Sequence, residues 1–240
     1  MKEETGYERF ETLPSTNDYA LKKRSEGKNL IVVAKRQTGG RGTKGRSFVS
    51  EEGGVYLSKL TFYKDFPVKR AFEIMQGAAA AVCETLESYG LVPKIKWPND
   101  VYVNGKKICG ILIENAFSGG NIASSVVGIG LNVCNTLPAE LSEIATSIGA
   151  ETGKTESAPS AEEVEERLLF SLCKKDIHKK YGRYLGWIGE KVVLIAGEEK
   201  LAAKILSVEA DGGLLAETET GVRKFASAEV SLRAIGEERQ

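Results

Sequence analysis

The sequence predicts an α+β chain in two parts, a larger part that mixes helices with strands and a smaller part built from strands alone. Up to about residue 186, segments with apolar residues at helical spacing alternate with short β-rich segments. Beyond that point five short β-rich segments follow one another with turn signals between them, which is typical of a small barrel. We therefore expect two domains, at residues 1–186 and 187–240, in a chain long enough for a substantial core.

Four helices are predicted in the larger part. The first can begin at Ser15 or Thr16, whose hydroxyl groups suit an N-cap, and can end at Gly27. The second has one apolar face rich in small residues, which favours close packing against a sheet. The four helices are predicted over residues 12–27, 69–89, 138–148 and 161–184.

Six strands are predicted in the larger part and five in the smaller part. Asn104-Gly105 separates two of them and is a strong signal for a two-residue hairpin turn. The six strands are predicted at residues 30–34, 55–62, 94–97, 101–103, 106–114 and 122–133. The five later strands are predicted at residues 191–195, 201–208, 214–217, 222–225 and 230–232.

The composition excludes several classes of protein. Lys plus Arg and Asp plus Glu are both 33, so no bulk charge favours nucleic acid or a membrane surface. The four cysteines form no CxxC pair and the chain has one histidine, His178, so a zinc site is disfavoured. No apolar run reaches membrane-spanning length. We expect a cytoplasmic protein with reduced thiols and no membrane partner.

A glycine-rich loop with positive charge lies between the first two predicted strands. Residues 37–46 read Gln-Thr-Gly-Gly-Arg-Gly-Thr-Lys-Gly-Arg, with four glycines and three cations in residues 39–46. Glycines let backbone N–H groups approach an anion, and arginines match phosphate geometry. The loop lacks the Gly-Lys-Ser/Thr ending of a Walker loop, and no helix follows as in a dinucleotide fingerprint. It predicts an anion site, although a surface turn explains the same composition.

A second group of polar residues surrounds the predicted hairpin. Asp100, in Lys-Trp-Pro-Asn-Asp, and Lys107 lie on opposite arms of the hairpin and can face one site. A solvated charge pair on a surface hairpin is the alternative. Gly128 and Gly130 then interrupt a β-rich run, which indicates either a bulge or the close approach of another group to the backbone.

Taken together and in this order, these segments resemble the biotin protein ligases, over about residues 7–235. Each run alone is a weak motif, whereas the ordered set is specific. The matching runs are Ser15-Thr16-Asn17, residues 37–42, Gly45-Arg46, residues 96–100, Lys107 with Gly110 and Glu114, and residues 128–132.

The resemblance implies a mixed sheet flanked by helices, of the class II synthetase-like kind, followed by an SH3-like β-barrel. It implies ATP and Mg²⁺ as cofactors, biotin as substrate and the biotin carboxyl carrier domain of a carboxylase as partner, and it allows a homodimer. Some relatives carry an N-terminal DNA-binding winged helix. Because only about six residues precede the first matching segment, we expect a ligase that binds no operator DNA.

The resemblance also implies roles for individual residues, while Mg²⁺ ligands cannot be assigned. Lys107 bridges the biotin carboxylate and the α-phosphate, and Asp100 either orients the acceptor lysine or takes its proton. The catalytic residues are Lys107, Arg41, Arg46 and Asp100. The biotin-binding residues are Ser15, Thr16, Gln37, Gly39, Arg41, Lys107, Gly110, Gly128 and Gly130. The ATP-binding residues are Arg41, Gly42, Arg46, Trp97, Asn99, Lys107, Asn132 and Arg233.

The chain departs from the family pattern at Thr43, where many relatives have an arginine that helps to retain the adenylate. Lys44 or Arg46 would have to replace that arginine. Three alternatives remain open. A lipoate ligase shares the fold and the acyl-adenylate route, a nucleic-acid-binding module could use the basic loop, and a biotin sensor would bind without catalysis.

Overall fold

The computed structural model describes residues 5–153, 158–196, 198–226 and 231–234. Its first seven strands are β1 (Gly6–Leu13), β2 (Leu30–Gln37), β3 (Val55–Phe62), β4 (Lys94–Lys96), β5 (Asp100–Val103), β6 (Lys106–Ser118) and β7 (Asn121–Leu131). They form one sheet in the order β1-β2-β3-β7-β6-β5-β4. The pair β1–β2 is parallel and the other neighbouring pairs are antiparallel, so the sheet is mixed, as the family resemblance implies.

Helices cover both faces of this sheet. They are α1 (Thr16–Lys23), α2 (Phe72–Glu87), α3 (Ile148–Thr152), α4 (Ala161–Leu172) and α5 (Tyr181–Tyr184). Along β2, Val32 packs with Ala20 of α1, and its neighbour Val33 belongs to the core formed with α2 and α4. Successive residues of a strand point to opposite faces, so β2 contributes side chains to the core on each face of the sheet. No helix in the described ranges is long and apolar enough to cross a membrane.

The last five strands form a separate antiparallel sheet. They are β8 (Lys191–Ala196), β9 (Glu199–Val208), β10 (Leu214–Thr218), β11 (Gly221–Phe225) and β12 (Ser231–Ala234). Their order is β11-β10-β9-β8-β12. Alternate residues such as Val192, Leu194 and Ile205 point into a small core of their own. The five predicted strands are confirmed within the described residues, and Val230, where the last was predicted to begin, lies outside them. The domain limits 1–186 and 187–240 stay a prediction.

Two helix predictions were wrong at their ends. The helix predicted from residue 12 begins at Thr16, because residues 6–13 form an edge strand that the sequence analysis missed. That strand is largely exposed and polar, so it lacks the apolar signal of a buried strand. The helix predicted over residues 161–184 stops at Leu172, and the chain turns at Asp176, which has a left-handed φ of 59°.

The helix predicted over residues 138–148 is also wrong. This segment holds one short 3₁₀ turn at Ala139–Leu141, and then runs alongside the start of β6. Lys107 N donates to Ile144 O, and Thr146 N donates to Lys107 O, both at 2.9 Å. These backbone bonds give the segment a strand-like path, which its own sequence pattern could not reveal.

Candidate active site

A buried polar network lies where α1 begins. Ser15 caps the helix by accepting a hydrogen bond from the backbone of Asp18. The backbone N of Thr16 donates to Gln37 Oε1 at 2.8 Å, and its hydroxyl does so at 3.1 Å. Ser58 Oγ, from the neighbouring strand β3, lies 2.8 Å from Thr16 Oγ1. The structure thus brings together Ser15, Thr16 and Gln37, three of the predicted biotin-binding residues, and it adds Ser58.

Asn17 extends this network across the sheet to β6, on the face that α1 covers. Its Oδ1 lies 2.5 Å from Ser58 Oγ, and its Nδ2 donates to Glu114 Oε2 at 3.0 Å. A Cβ atom at position 128 would lie 2.0 Å from Asn17 Oδ1, so only glycine fits there beside the asparagine. The sequence analysis did not assign Asn17, Ser58 or Glu114 to the site. Asn17 and Glu114 lie in the runs that carried the family resemblance, whereas Ser58 had no sequence signal.

The glycine-rich loop folds back on itself between β2 and β3. Bridges pair Gln37 with Ser50 and Arg41 with Ser47. Gly39 N donates to the carbonyl of Pro14 at 2.8 Å, which holds the loop against the start of α1. A Cβ atom on Gly40 would lie 2.3 Å from the Phe48 carbonyl oxygen, so this return of the chain requires glycine. The two predicted anion-binding arginines are therefore carried beside the buried polar network.

The two arginines of the loop have different partners. Arg41 lies 2.7 Å from Asp18 Oδ1 and 2.7 Å from Glu114 Oε2, so two carboxylates balance its charge. Arg46 is exposed, and its guanidinium donates to the carbonyl and hydroxyl oxygens of Thr43. An anion that approaches Arg41 must compete with carboxylates, whereas at Arg46 it competes with neutral oxygens. Thr43, the position that departs from the family pattern, is thus the partner of Arg46.

Two glycines on neighbouring strands form a flat floor that Phe48 covers. Gly110 of β6 pairs with Gly130 of β7. A Cβ atom on Gly130 would lie 2.6 Å from the Phe48 ring, and one on Gly110 would lie 3.2 Å from it. The Lys107 ammonium lies 6.0 Å from the centroid of the same ring. The glycines therefore permit the close approach of a flat group, one of the two explanations that the sequence analysis left open for Gly130, and in this structure the group is Phe48.

Lys107 and Asp100 form an ion pair at the edge of this floor. Lys107 Nζ lies 2.8 Å from Asp100 Oδ1, and both side chains are partly buried. That oxygen is buried and has no hydrogen bond of good angle within the described part of the chain, so the lysine charge compensates it. Asp100 of β5 lies opposite Gly110 of β6, and the ion pair brings side chains from the two arms of the hairpin together.

The Cys109 thiol is an inert part of this region. It is fully buried, and burial raises its pKa above the ordinary value although Lys107 lies nearby. A thiol whose pKa is raised stays protonated at neutral pH and is a poor nucleophile. Metal binding also has no ready-made site, because the described residues contain no group of three or more His, Cys, Asp or Glu side chains placed to hold an ion.

Trp97 and Asn99 were predicted at the nucleotide, and the structure gives both of them protein partners. Trp97 is 4% exposed, packs in the core of the C-terminal sheet and donates through Nε1 to Gly212 O at 2.9 Å. Asn99 is buried, and its Nδ2 donates to the carbonyl of Ile111 at 2.8 Å. Their predicted contacts with ATP remain predictions.

Asn132 and Arg233 also remain predictions as nucleotide ligands. Asn132 is 4% exposed, its Nδ2 donates to Thr146 O at 3.0 Å, and its Oδ1 accepts from Asn135. Its bond to Thr146 holds the segment at residues 138–148 beside Lys107. Arg233 lies in β12 opposite Val193, and its side chain lies outside the described structure.

Comparison with family models gives two matches. Residues 9–132 match the biotin/lipoate A/B protein ligase family, and residues 187–233 match the biotin protein ligase C terminal domain. The first match contains the polar network, the glycine-rich loop and the Lys107–Asp100 pair. The second coincides with the five-stranded sheet.

Similar proteins and structures agree with these matches. The biotin protein ligase from Aquifex aeolicus, solved in complex with biotin and ATP, is 30% identical, with a TM-score of 0.73, and the alignment covers 95% of this chain and 99% of that one. The bifunctional ligase/repressor BirA of Bacillus subtilis is 34% identical over 84% of this chain and 66% of its own length. The biotin--[acetyl-CoA-carboxylase] ligase of Mycobacterium tuberculosis is 32% identical over 66% of this chain and 59% of its own length. The chain thus spans just under two thirds of the Bacillus relative.

Proposed function

The chain belongs to the biotin/lipoate A/B protein ligase family, and we propose that it is the ligase that activates biotin with ATP and transfers it to a lysine of a carrier domain. The observation that carries this proposal is the position of the Lys107–Asp100 ion pair. It lies at the edge of the Gly110–Gly130 floor, in the same family match as the buried polar network and the loop that carries Arg41.

The polar network suits the ureido ring of biotin. A small-molecule pocket is mostly apolar and uses a few fixed hydrogen-bonding groups at one end. Thr16 is hydrogen-bonded to Gln37, and Ser58 links Thr16 to Asn17, which also bonds to Glu114. These side chains are therefore already oriented. The floor of Gly110 and Gly130 offers space for the flat bicycle or the tail once Phe48 moves aside.

The first step joins two anions. A carboxylate oxygen of biotin attacks the α-phosphorus of ATP, the bond from that phosphorus to the leaving oxygen breaks, and pyrophosphate departs. Lys107, Arg41 and Arg46 supply the positive charge that offsets the repulsion between the two reactants. Mg²⁺ would arrive with the nucleotide, held mainly by phosphate oxygens, which is its usual mode in such sites.

The second step forms the amide. The carrier lysine nitrogen attacks the acyl carbon of biotinyl-5′-AMP, the carbon–oxygen bond to the phosphate breaks, AMP leaves and the nitrogen loses a proton. We infer that Asp100 either orients the amine or accepts that proton, and its ion pair with Lys107 supports this because the carboxylate already holds one ammonium group. The carrier is the biotin domain of a carboxylase, as the name of the Mycobacterium relative suggests.

The test of activation is ATP–pyrophosphate exchange with and without biotin. We expect exchange that depends on biotin, and its absence in purified, folded protein would contradict the proposal. Labelled biotin and labelled lipoate, each offered with ATP and a carrier domain, separate the two ligase activities. The named relatives and the ligand-bound Aquifex structure favour biotin over lipoate.

Three further properties belong to this proposal. We expect no specific binding to a biotin operator because the chain has balanced charge, and a mobility shift at nanomolar protein would contradict this. We also propose a cytoplasmic location, in keeping with the free thiols of Cys83, Cys109, Cys134 and Cys173. The resemblance allows a homodimer, and sedimentation over a range of concentrations measures the oligomeric state.

A further inference from the structure

Both tryptophans of the chain lie where the two sheets meet. Trp97 leaves the end of β4 and enters the core of the C-terminal sheet, where its Nε1 donates to the carbonyl of Gly212. Trp187 lies in the segment that leads into β8, and its ring meets that of Tyr102 edge to face, with centroids 5.7 Å apart. The sequence contains two tryptophans, so both indoles report on this junction.

Lys96, directly before Trp97, lies between the two parts of the junction. It is 4% exposed, which is unusual for lysine. Its Nζ lies 4.7 Å from the Tyr102 ring centroid and 5.9 Å from that of Trp187. It also donates to the Tyr102 hydroxyl at 3.3 Å. A desolvated ammonium held against two aromatic rings ties the catalytic sheet, through Tyr102, to the start of the C-terminal sheet, through Trp187.

The segment that connects α5 to β8 is hydrogen-bonded to β4, the strand that contains Lys96. Leu185 pairs with Ile95 of β4 in parallel, and Gly186 N donates to the carbonyl of Ile95 at 3.0 Å. Phe72 of α2 packs with the same cluster as Trp97 and against Gly212, where an added Cβ atom would lie 2.6 Å from the ring. The C-terminal sheet and the segment that leads into it therefore pack against β4 and α2.

The same short segment reaches the reacting groups at its other end. Asn99 exchanges two hydrogen bonds with Ile111 of β6, one from its side chain and one to its backbone carbonyl. Asp100, next in sequence, is ion-paired with Lys107. Residues 96–100 thus have one end in the junction and the other at the Lys107–Asp100 pair.

We propose that Lys96 and Trp97 are positioning residues. They hold the C-terminal sheet at a fixed position relative to the Lys107–Asp100 pair and thereby set the affinity for ATP. The effect on ATP rests on the proposed ligase function, whereas the junction itself can be measured without activity. Neither side chain needs to touch the nucleotide, because each acts through the sheet that it holds.

The test uses the full chain and four variants. Lys96→Met removes the charge and keeps the stem, Lys96→Arg keeps a cation beside the rings, and Trp97→Phe keeps a ring without its N–H group. Lys94→Met is the matched control, because Lys94 lies on the same strand but is exposed. Circular dichroism and thermal melting identify any variant that fails to fold, and Lys96→Arg and Trp97→Phe keep the proposal testable if Lys96→Met does not fold.

The first readout is tryptophan emission with acrylamide quenching. We expect Lys96→Met to shift the emission to longer wavelength and to raise the quenching constant about twofold, because both indoles gain access to water. Lys96→Arg and Lys94→Met should stay close to the wild type. Unchanged quenching in folded Lys96→Met would overturn the junction role, whether or not the protein proves to be a ligase.

The second readout is the KM for ATP in pyrophosphate exchange. We expect Lys96→Met to raise the KM for ATP about tenfold, the size of effect that a desolvated cation–π contact can support. Trp97→Phe should raise it several-fold, while kcat and the KM for biotin stay within about twofold, since the polar network lies on other strands. A general loss of stability would instead lower kcat at constant KM, and that result would overturn the positioning role. Absence of exchange in the wild type would contradict the proposed function alone.

Discussion

At the scale of single residues, the candidate site contains a lysine whose ammonium group is held in a defined position. Lys107 is fixed from two directions, since its backbone bonds to Ile144 and Thr146 and its ammonium pairs with Asp100. A preorganised cation of this kind does not need to be reoriented when negative charge develops beside it.

We expect Lys107→Ala to slow adenylate formation at least about a hundredfold, because it removes a charge-assisted contact of about 3 kcal/mol in the transition state. Single-turnover formation of biotinyl-5′-AMP measures this step. Lys106→Ala is the matched control, since Lys106 is adjacent but donates to the carbonyl of Ser142. Its rate should stay within about threefold of the wild type. An unchanged rate in Lys107→Ala would remove this lysine from the mechanism.

Gly128 is the residue whose replacement should damage the polar network most directly. An alanine Cβ would lie 2.0 Å from Asn17 Oδ1, so the asparagine must leave its bonds to Ser58 and Glu114. We expect Gly128→Ala to raise the KM for biotin about tenfold or more and to lower the unfolding free energy by about 1–3 kcal/mol. Gly182→Ala is the control, because its Cβ meets open space. Equal KM values in the two variants would contradict this role for Asn17.

At the scale of elements, the sequence predicted what depends on local pattern. Asn104 and Gly105 adopt left-handed φ angles of 49° and 79°, which the two-residue hairpin requires, and the turn signals separated the late strands correctly. The same hairpin pattern put Lys107 and Asp100 on opposite arms that can face one site, and the two side chains form an ion pair. Ser58 could not be foreseen, because a serine in an apolar strand gains its role only when the sheet brings it beside α1.

The errors among the elements have the same origin in tertiary contacts. The missed strand β1 is an exposed edge that pairs with β2, and its polar alternation resembles that of a loop. The segment at residues 138–148 was predicted as a helix, but the backbone of Lys107 offers it hydrogen bonds that outweigh its local preference. The sequence alone does not show that residues 6–13 pair with β2, or that residues 138–148 bond to the backbone of Lys107.

The helix α2 is tied to the region that follows α4 by a carboxylate, and this tie should depend on pH. Burial of Glu84 acts to raise its pKa, but hydrogen bonds from Lys174 and Lys180 outweigh the burial, so its pKa is lowered. A carboxyl group with a lowered pKa in the folded state stabilises the protein above its unfolded pKa of about 4.3, and this contribution is lost as the pH falls through the folded value.

We therefore expect Glu84→Gln to lower the unfolding free energy by about 1 kcal/mol at pH 7, and by progressively less as the pH falls below about 4. Urea unfolding of both proteins at a series of pH values measures the difference. Glu219→Gln, at an exposed turn, is the control and should change little at any pH. A difference that grows toward acid pH would show that the sign is wrong.

At the scale of the whole molecule, the two sheets act as one unit because the larger part supplies core residues to the smaller part. Trp97 packs with Val192, Leu214 and Phe225, and Phe72 of α2 packs with the same cluster. Removing residues 188–240 would expose the side chains of Trp97 and Phe72. A loss of ATP binding in that variant could then not be separated from a loss of folding stability. The contribution of the C-terminal sheet to nucleotide binding is therefore better tested by a single substitution.

Arg233 is the residue for that test. It lies in β12, the strand that closes one end of the C-terminal sheet by pairing with β8, and the family resemblance directs it toward the nucleotide. We expect Arg233→Ala to raise the KM for ATP about tenfold while the KM for biotin is unchanged, because a charge-assisted contact to phosphate contributes about 1.5–3 kcal/mol. Arg223→Ala is the matched control, since Arg223 is exposed in β11 at the opposite edge of the same sheet. If both variants bind ATP like the wild type, the C-terminal sheet contributes no arginine to the nucleotide, and any effect of the Lys96 and Trp97 variants on the KM for ATP must reach the site through the Lys107–Asp100 pair.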